Sequence, residues 1–177
     1  MAIGDVTSDK KGTGARYNDG KVPYELIAWK PFALALCFGS PTQSEVRYVL
    51  MMLGEFQAGG AHRQLHMALQ HTASAAGLTM MELYAETARV LEYGKAKYAE
   101  WNWAKGQSWQ AVIACVARHL LGTPDQPGMW DEPGGLDRES GLLHAGHVAC
   151  NLMFLMQFMI TFPEGDDRPK ALVEKPF

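Results

Sequence analysis

The stretch GGLDRESGLLHAGHVACNLMFLMQFMITF, residues 134–162, carries Asp137, Glu139, His144, His147 and Asn151 inside a run greasy enough for the centre of a helical bundle. Burying a polar group without a partner costs on the order of 1–3 kcal/mol, and an unpaired charge costs far more. These side chains therefore need partners. Read as one helix, positions three, four and seven apart share a face, so Ser140, His144, His147 and Asn151 form one stripe, with Glu139 on the adjacent flank. The apolar run before it, Val112 to Leu121, ends with Arg118 and His119, and further upstream stand Glu82, Glu86 and Glu92. Carboxylates and imidazoles converging from facing helices are how bundle interiors build divalent-metal sites. Mg²⁺ prefers oxygen donors, and the softer Mn²⁺ tolerates imidazole. A metal, a phosphate ligand or both would satisfy the stripe. The bland alternative is a set of core histidines satisfied by the protein itself, with the glutamates on a solvated outer face.

A second concentration of chemistry is YGKAKYAEWNWAKGQSW, residues 93–109. Lys95 and Lys97 suit phosphates as point charges. Tyr98, Trp101, Trp103 and Trp109 offer flat surfaces on which a nucleobase can stack. Asn102, between two tryptophans, is the candidate for reading a base edge, whereas Trp109 reads as a cap on the core.

Helices must position these groups. Ser40 or Thr42 caps a helix from about 42 to 57 that stops at Gly59-Gly60, and AHRQLHMALQHTASAAG forms a helix ended by Gly77. Thr79 with Glu82 three residues on is a capping-box pattern, opening a helix through the lysine-rich segment. Ser108 caps SWQAVIACVARHLL, which Gly122 ends. A loop rich in Gly, Pro and Asp, residues 122–137, leads into the final helix. Before all of these, VPYELIAWKPFALALCF is cut by Pro23 and Pro31, implying an extended lead-in and a short helix. No repeat and no clear strand pair stands out. The pattern predicts an all-α multi-helix bundle, one domain over residues 1–177. Residues 1–22 read as a flexible arm ordered only where it docks, and 163–177 as a surface tail.

The bulk composition excludes several classes. Of 177 residues 47% are hydrophobic and 20% charged, with 16 Lys+Arg against 19 Asp+Glu and a net charge of -3. That is a soluble domain without the basic stripe of a nucleic-acid reader. The run from Val148 to Phe162 falls short of the roughly 20 apolar residues a bilayer needs, and the polar N-terminus has no signal-peptide core. Cys37, Cys115 and Cys150 lie in apolar runs without C-x-x-C spacing and read as small core residues in a reducing cytoplasm. No P-loop, G-x-S-x-G, H-E-x-x-H or His-Asp pair occurs.

In order, RYNDGKVPYELI, VLEYGKAKYAEWNWAKGQSW, ARHLLG and LDRESGLLHAGHVACNLMFL resemble the phage dATP/dGTP diphosphohydrolases of the MazZ type. Those are similar to the MazG and phosphoribosyl-ATP branch of all-α nucleotide pyrophosphohydrolases. The likeness covers residues 16–30 and about 85–157, and residues 34–78 look inserted between its first two motifs. It implies an all-α fold, a homodimer or homotetramer, and Mg²⁺- or Mn²⁺-dependent cleavage of a deoxynucleoside triphosphate, dGTP foremost, to monophosphate and pyrophosphate. In such phages the product can feed synthesis of 2-aminoadenine nucleotides for DNA, which would place the protein in the host cytoplasm. Carried over by motif, the site residues are Arg16, Asp19 and Lys21 in the arm, then Lys95, Lys97, Tyr98, Asn102 and Trp103. Arg118, His119, Asp137, Glu139, Ser140, His144, His147 and Asn151 complete them. The wider MazG branch uses an E-x-x-E and an E-x-x-D helix; here Glu82 and Glu86 stand one residue further apart, and H-x-x-H takes the second place.

The combined expectation is a metal-dependent pyrophosphohydrolase. Glu86, Glu139 and His119, His144 and His147 hold one or two ions, and Lys21, Lys95, Lys97 and Arg118 meet the phosphates. Tyr98, Asn102 and Trp103 hold the base, while Arg16, Asp19, Asp137, Ser140 and Asn151 support the site. The rival readings are a triphosphohydrolase or nucleoside diphosphate hydrolase at the same site, and a nucleotide-binding regulator without catalysis.

Overall fold

Among the described residues, serine and threonine caps start three of the six α-helices. Ser40 accepts from the Gln43 backbone N–H while the Gln43 side chain returns to Ser40, and Pro41 occupies the first turn of α2, Pro41–Gln57. Thr79 and Glu82 form the same reciprocal cap on α4, Met80–Lys97. Ser108 accepts from Ala111 at the start of α5, Trp109–Leu121. Between them stands α3, His62–Ala76, ended by Gly77 in the left-handed conformation that lacks a Cβ penalty. The short α1, Trp29–Ala35, precedes α2, and α6, His144–Thr161, closes the bundle. The computed structural model describes residues 2–17, 20–37 and 39–173.

The architecture is an all-α bundle. α6 packs against α3, α4 and α5, which explains its apolar character: every residue from His144 to Leu152 is buried, and only in its second half does a side chain such as Ile160 face solvent. Leu152, Leu155 and Phe158 of α6 meet Ile113 and Leu120 of α5, Leu83 of α4, and Leu50, Leu53, Phe56 and Leu65 of the α2–α3 hairpin in one core. Residues 34–78, which look inserted in sequence, are thus the hairpin that closes one side of that core.

The structure departs from the sequence pattern in three places. A two-residue antiparallel ladder pairs Ala2–Ile3 with Arg16–Tyr17, a strand pair too short to leave an alternating signal. Cys37 is exposed at the end of α1, whereas Cys150 is buried. The tail is anchored: Asp167 accepts from the Gln110 backbone and Ser108 Oγ at the start of α5. Arg168 lies over the Phe56 and Trp109 rings while bonding the Phe56 and Gly60 carbonyls.

Candidate functional site

The helix carrying His147 begins only at His144, so Ser140 is not on it. Residues 137–143 instead fold back on themselves. Asp137 accepts from Ser140 N and Oγ at 2.9 Å each, Gly141 N bonds the Asp137 carbonyl, and Gly141 takes a φ of 70° that favours glycine. This turn brings Ser140 Oγ to 2.8 Å from His147 Nε2. The single helical stripe of Ser140, His144, His147 and Asn151 is therefore corrected: a loop residue reaches the helix through a tight turn built on Asp137.

Three histidines meet here. His119, in the last turn of α5, faces His144 with Nδ1 to Nδ1 at 3.0 Å and stacks on His147 at 4.4 Å between ring centres. Burial first, then the charge of His119, pushes His144 down to about 4 and His147 to about 3, so both rings are neutral at pH 7. Burial would raise Asp137, but hydrogen bonds from Gln126 and Ser140 and the nearby His119 outweigh it and hold its carboxyl at about 2. One ligand atom from each of His119, Asp137 and His144 lies within 4.8 Å of the others. Two imidazoles, that of His144 neutral at pH 7, and an ionised carboxylate are a donor set for a borderline divalent ion such as Mn²⁺, and a poorer one for oxygen-seeking Mg²⁺.

The two glutamates expected as ligands stand elsewhere. Glu139 pairs with Lys97, lies 3.8 Å from Lys21 and accepts from the Tyr93 hydroxyl; the Lys97 hydrogen bond holds its carboxyl below the ordinary value. Glu86 pairs with Arg89 three residues further along its own helix. Its backbone abuts Gly146, where an added Cβ would lie 3.0 Å from the Glu86 carbonyl oxygen. Both carboxylates already serve cations of the protein, and neither belongs to the histidine cluster. Asp137, expected only in support, takes that place.

The arm docks beside the cluster. Arg16 donates to Gln107 Oε1 and to Asn151 Oδ1, each at 2.8 Å, and Asn151 in turn donates to the His147 carbonyl. Asn102 clasps the backbone of Ala15, accepting from its N–H and donating to its carbonyl, and is only 4% exposed. Its amide is thereby committed to the arm, which corrects its assignment to a base edge. Arg118 donates to the Val22 carbonyl. Asp19 lies outside the described residues. Among side chains that sequence reasoning passed over, Gln107 in the aromatic loop and Gln126 in the Gly- and Pro-rich loop matter most, and nothing in a lone loop glutamine marks it.

All of this surrounds a cavity of about 980 Å³. His119, Asp137 and His147 line it, and its cations include Arg16, Lys21, Lys97 and Arg118, with Arg89 and Arg138 beside them. Tyr98, Trp101 and Trp103 supply aromatic wall, and Trp103 is itself stacked on Phe154 at 4.8 Å. Lys95 also borders the cavity but pairs with Glu100. Glu86, Ser140 and His144 do not line it; Ser140 and His144 reach it through the groups they hold.

An all-α chain with a cationic and aromatic cavity beside an imidazole–carboxylate cluster is the class this arrangement defines. A family model described as dATP/dGTP diphosphohydrolase, N-terminal, matches residues 61–168, more than half of the sequence, and the chain belongs to that family. The matched segment runs from α3 to the tail and contains the whole histidine cluster. A dATP/dGTP diphosphohydrolase of Salmonella phage PMBT28 is 36% identical over 83 residues, which are 47% of this chain and 26% of the phage protein. The chain thus covers about a quarter of that relative's length. No solved structure matches the chain.

Proposed function

We propose that the chain binds a purine deoxynucleoside triphosphate in this cavity and hydrolyses it to the monophosphate and pyrophosphate with the help of a divalent ion. The observation that carries the reading is the convergence, on one cavity of nucleotide size, of Arg16, Lys21, Lys97 and Arg118, an aromatic wall, and His119 and Asp137 of the histidine cluster. The name of the phage relative, which covers both dATP and dGTP, supports a purine substrate.

In this reading His119, Asp137 and His144 hold the ion, and His147, kept neutral and bonded to Ser140, fixes the His119 ring by stacking on it. A bound divalent ion would supply charge neutralisation and a water of lowered pKa. Water adds to the α-phosphorus and gives up a proton to solvent, the bond between the α-phosphorus and the α,β-bridging oxygen breaks, and pyrophosphate leaves with that oxygen and the bonding electrons. Lys21, Lys97 and Arg118 meet the charge that develops on the leaving group. Lys21 and Lys97 are held by Glu139 in the free protein, so the phosphates take over from a carboxylate. Assembly as a homodimer or homotetramer, action in a phage-infected cytoplasm and a supply of product for 2-aminoadenine synthesis complete the proposal. Among the described residues no helix is long and apolar enough to cross a membrane.

A second reading is a nucleotide-binding module without catalysis. Its support is that the buried polar side chains of the cluster are all hydrogen-bonded within the protein, and that the matched family describes an N-terminal part. One experiment separates the two: incubation with each of the four deoxynucleoside triphosphates and Mn²⁺ or Mg²⁺, with products resolved by chromatography. Monophosphate and pyrophosphate in equal amounts support hydrolysis. Tight binding without product favours the second reading, and neither binding nor product rejects both.

A further inference from the structure

Trp101 is the one non-glycine among the described residues with a positive φ, 59° with ψ 13°. Left-handed backbone is rare for a bulky side chain, because its Cβ crowds the following carbonyl, and it persists only where the surroundings enforce it. Here they do. The next residue, Asn102, is locked to Ala15 by two hydrogen bonds, so the chain cannot relax at Trp101 without releasing the arm. Trp101 itself is 66% exposed, whereas Trp29 and Trp109 are buried and Trp103 and Trp130 half-buried. An indole held in the open is costly twice, in backbone strain and in apolar surface left in water. It also lines the cavity, its ring 6.1 Å from that of Trp103 and tilted 46° to it.

We propose that Trp101 is the stacking face for the purine base of the bound nucleotide, so that the base is recognised by its flat area and not by its edge. The inference rests on the reading that the cavity takes a nucleotide, and it adds how the base is selected. Stacking on indole responds to ring area and tolerates any base edge. The amide best placed in the sequence to read an edge, that of Asn102, is spent on Ala15. Adenine and guanine, equal in area, should therefore bind alike, and the smaller pyrimidines more weakly.

The test uses the whole chain and isothermal calorimetry, with Ca²⁺ replacing Mn²⁺ to slow turnover. The titrants are dATP, dGTP, dTTP and inorganic tripolyphosphate. Trp101→Gly removes the ring and suits the backbone; it should lower dATP and dGTP affinity on the order of tenfold, leave tripolyphosphate unchanged, and melt no lower than the wild type. Trp101→Phe should restore part of the loss. Trp101→Asn, which also tolerates left-handed backbone, repeats the comparison if the glycine variant folds poorly. Wild-type purine affinity in Trp101→Gly overturns the proposal while leaving the cavity reading intact. An equal loss for tripolyphosphate also overturns it, since the ring would then act through the arm. A wild type that binds none of the nucleotides sinks the cavity reading, and this proposal with it.

Discussion

His119 and His144 approach Nδ1 to Nδ1 at 3.0 Å, from the last turn of α5 and the first turn of α6. Two imidazole nitrogens at that distance hold together only if one ring donates to the other, and two charged rings would repel. With Asp137 alongside, the pair is suited to grip a cation.

Ion binding should register as stability. A ligand that binds only the folded state adds about 2.7 kcal/mol at a hundred times its Kd. Thermal melts with and without Mn²⁺ should show a rise of several degrees that a chelator reverses, and a smaller one with Mg²⁺. Asp137→Asn and His144→Ala should abolish the rise, whereas Glu86→Gln should keep it. Loss of the rise in Glu86→Gln alone would return the ligand set to the glutamates.

Acid should weaken the metal-free protein before it reaches the carboxylate range. His144 and His147 titrate near 6.5 in an unfolded chain but at about 4 and about 3 when folded. Between those values the unfolded state binds the extra protons, so stability is full above pH 6.5 and falls as pH drops toward 4. Asp137, held at about 2, adds a further loss below its ordinary value of 3.8. Each proton bound only by the unfolded chain costs about 1.4 kcal/mol per pH unit, so by pH 4.5 the two imidazoles together lose on the order of 5 kcal/mol. Melting temperature measured from pH 7.5 to pH 4.5 in chelator should decline steadily, and a flat profile would show that the rings are solvated.

Asn102→Ala should loosen the arm. It removes both hydrogen bonds to Ala15 and leaves the buried Ala15 N–H without its acceptor, while Gln107 still donates to the Ala15 carbonyl, a cost of about 1–3 kcal/mol. Limited proteolysis should then cut within residues 5–16 faster than in the wild type. Unchanged cleavage together with weakened nucleotide binding would restore Asn102 to the base.

Gly146→Ala tests how closely α4 and α6 must approach. The added Cβ would stand 3.0–3.1 Å from the backbone and Cβ of Glu86, so the helices must separate by a few tenths of an ångström next to His147. Overpacking of this kind costs about 1–3 kcal/mol, and the Mn²⁺-induced rise should shrink as His147 moves against His119. Wild-type stability and an unaltered rise would mean that the interface yields freely.

Much of the fold is legible in the chain, because its signals are local. Ser40, Thr79 and Ser108 sit where backbone N–H groups need an acceptor, Gly77 supplies a left-handed stop and Gly122 ends α5 at a positive φ outside the left-handed helical region, so helix ends can be read from neighbours a few residues apart. The polar residues in the apolar final segment are equally visible, and with them the place where chemistry gathers. Which of them touch is decided by tertiary structure alone. Ser140 reaches His147 through a turn, not along a helix, because Asp137 satisfies that turn with its own carboxylate. Glu86 and Glu139 have the right residue type for a metal, but Arg89, Lys97 and Lys21 claim them once the helices pack. Asn102 lies between two tryptophans in sequence, yet the docked arm takes both ends of its amide. Spacing along the chain determines faces of helices; the partner of a charge or an amide is set by whichever group long-range packing brings within hydrogen-bonding distance, and no local pattern encodes that.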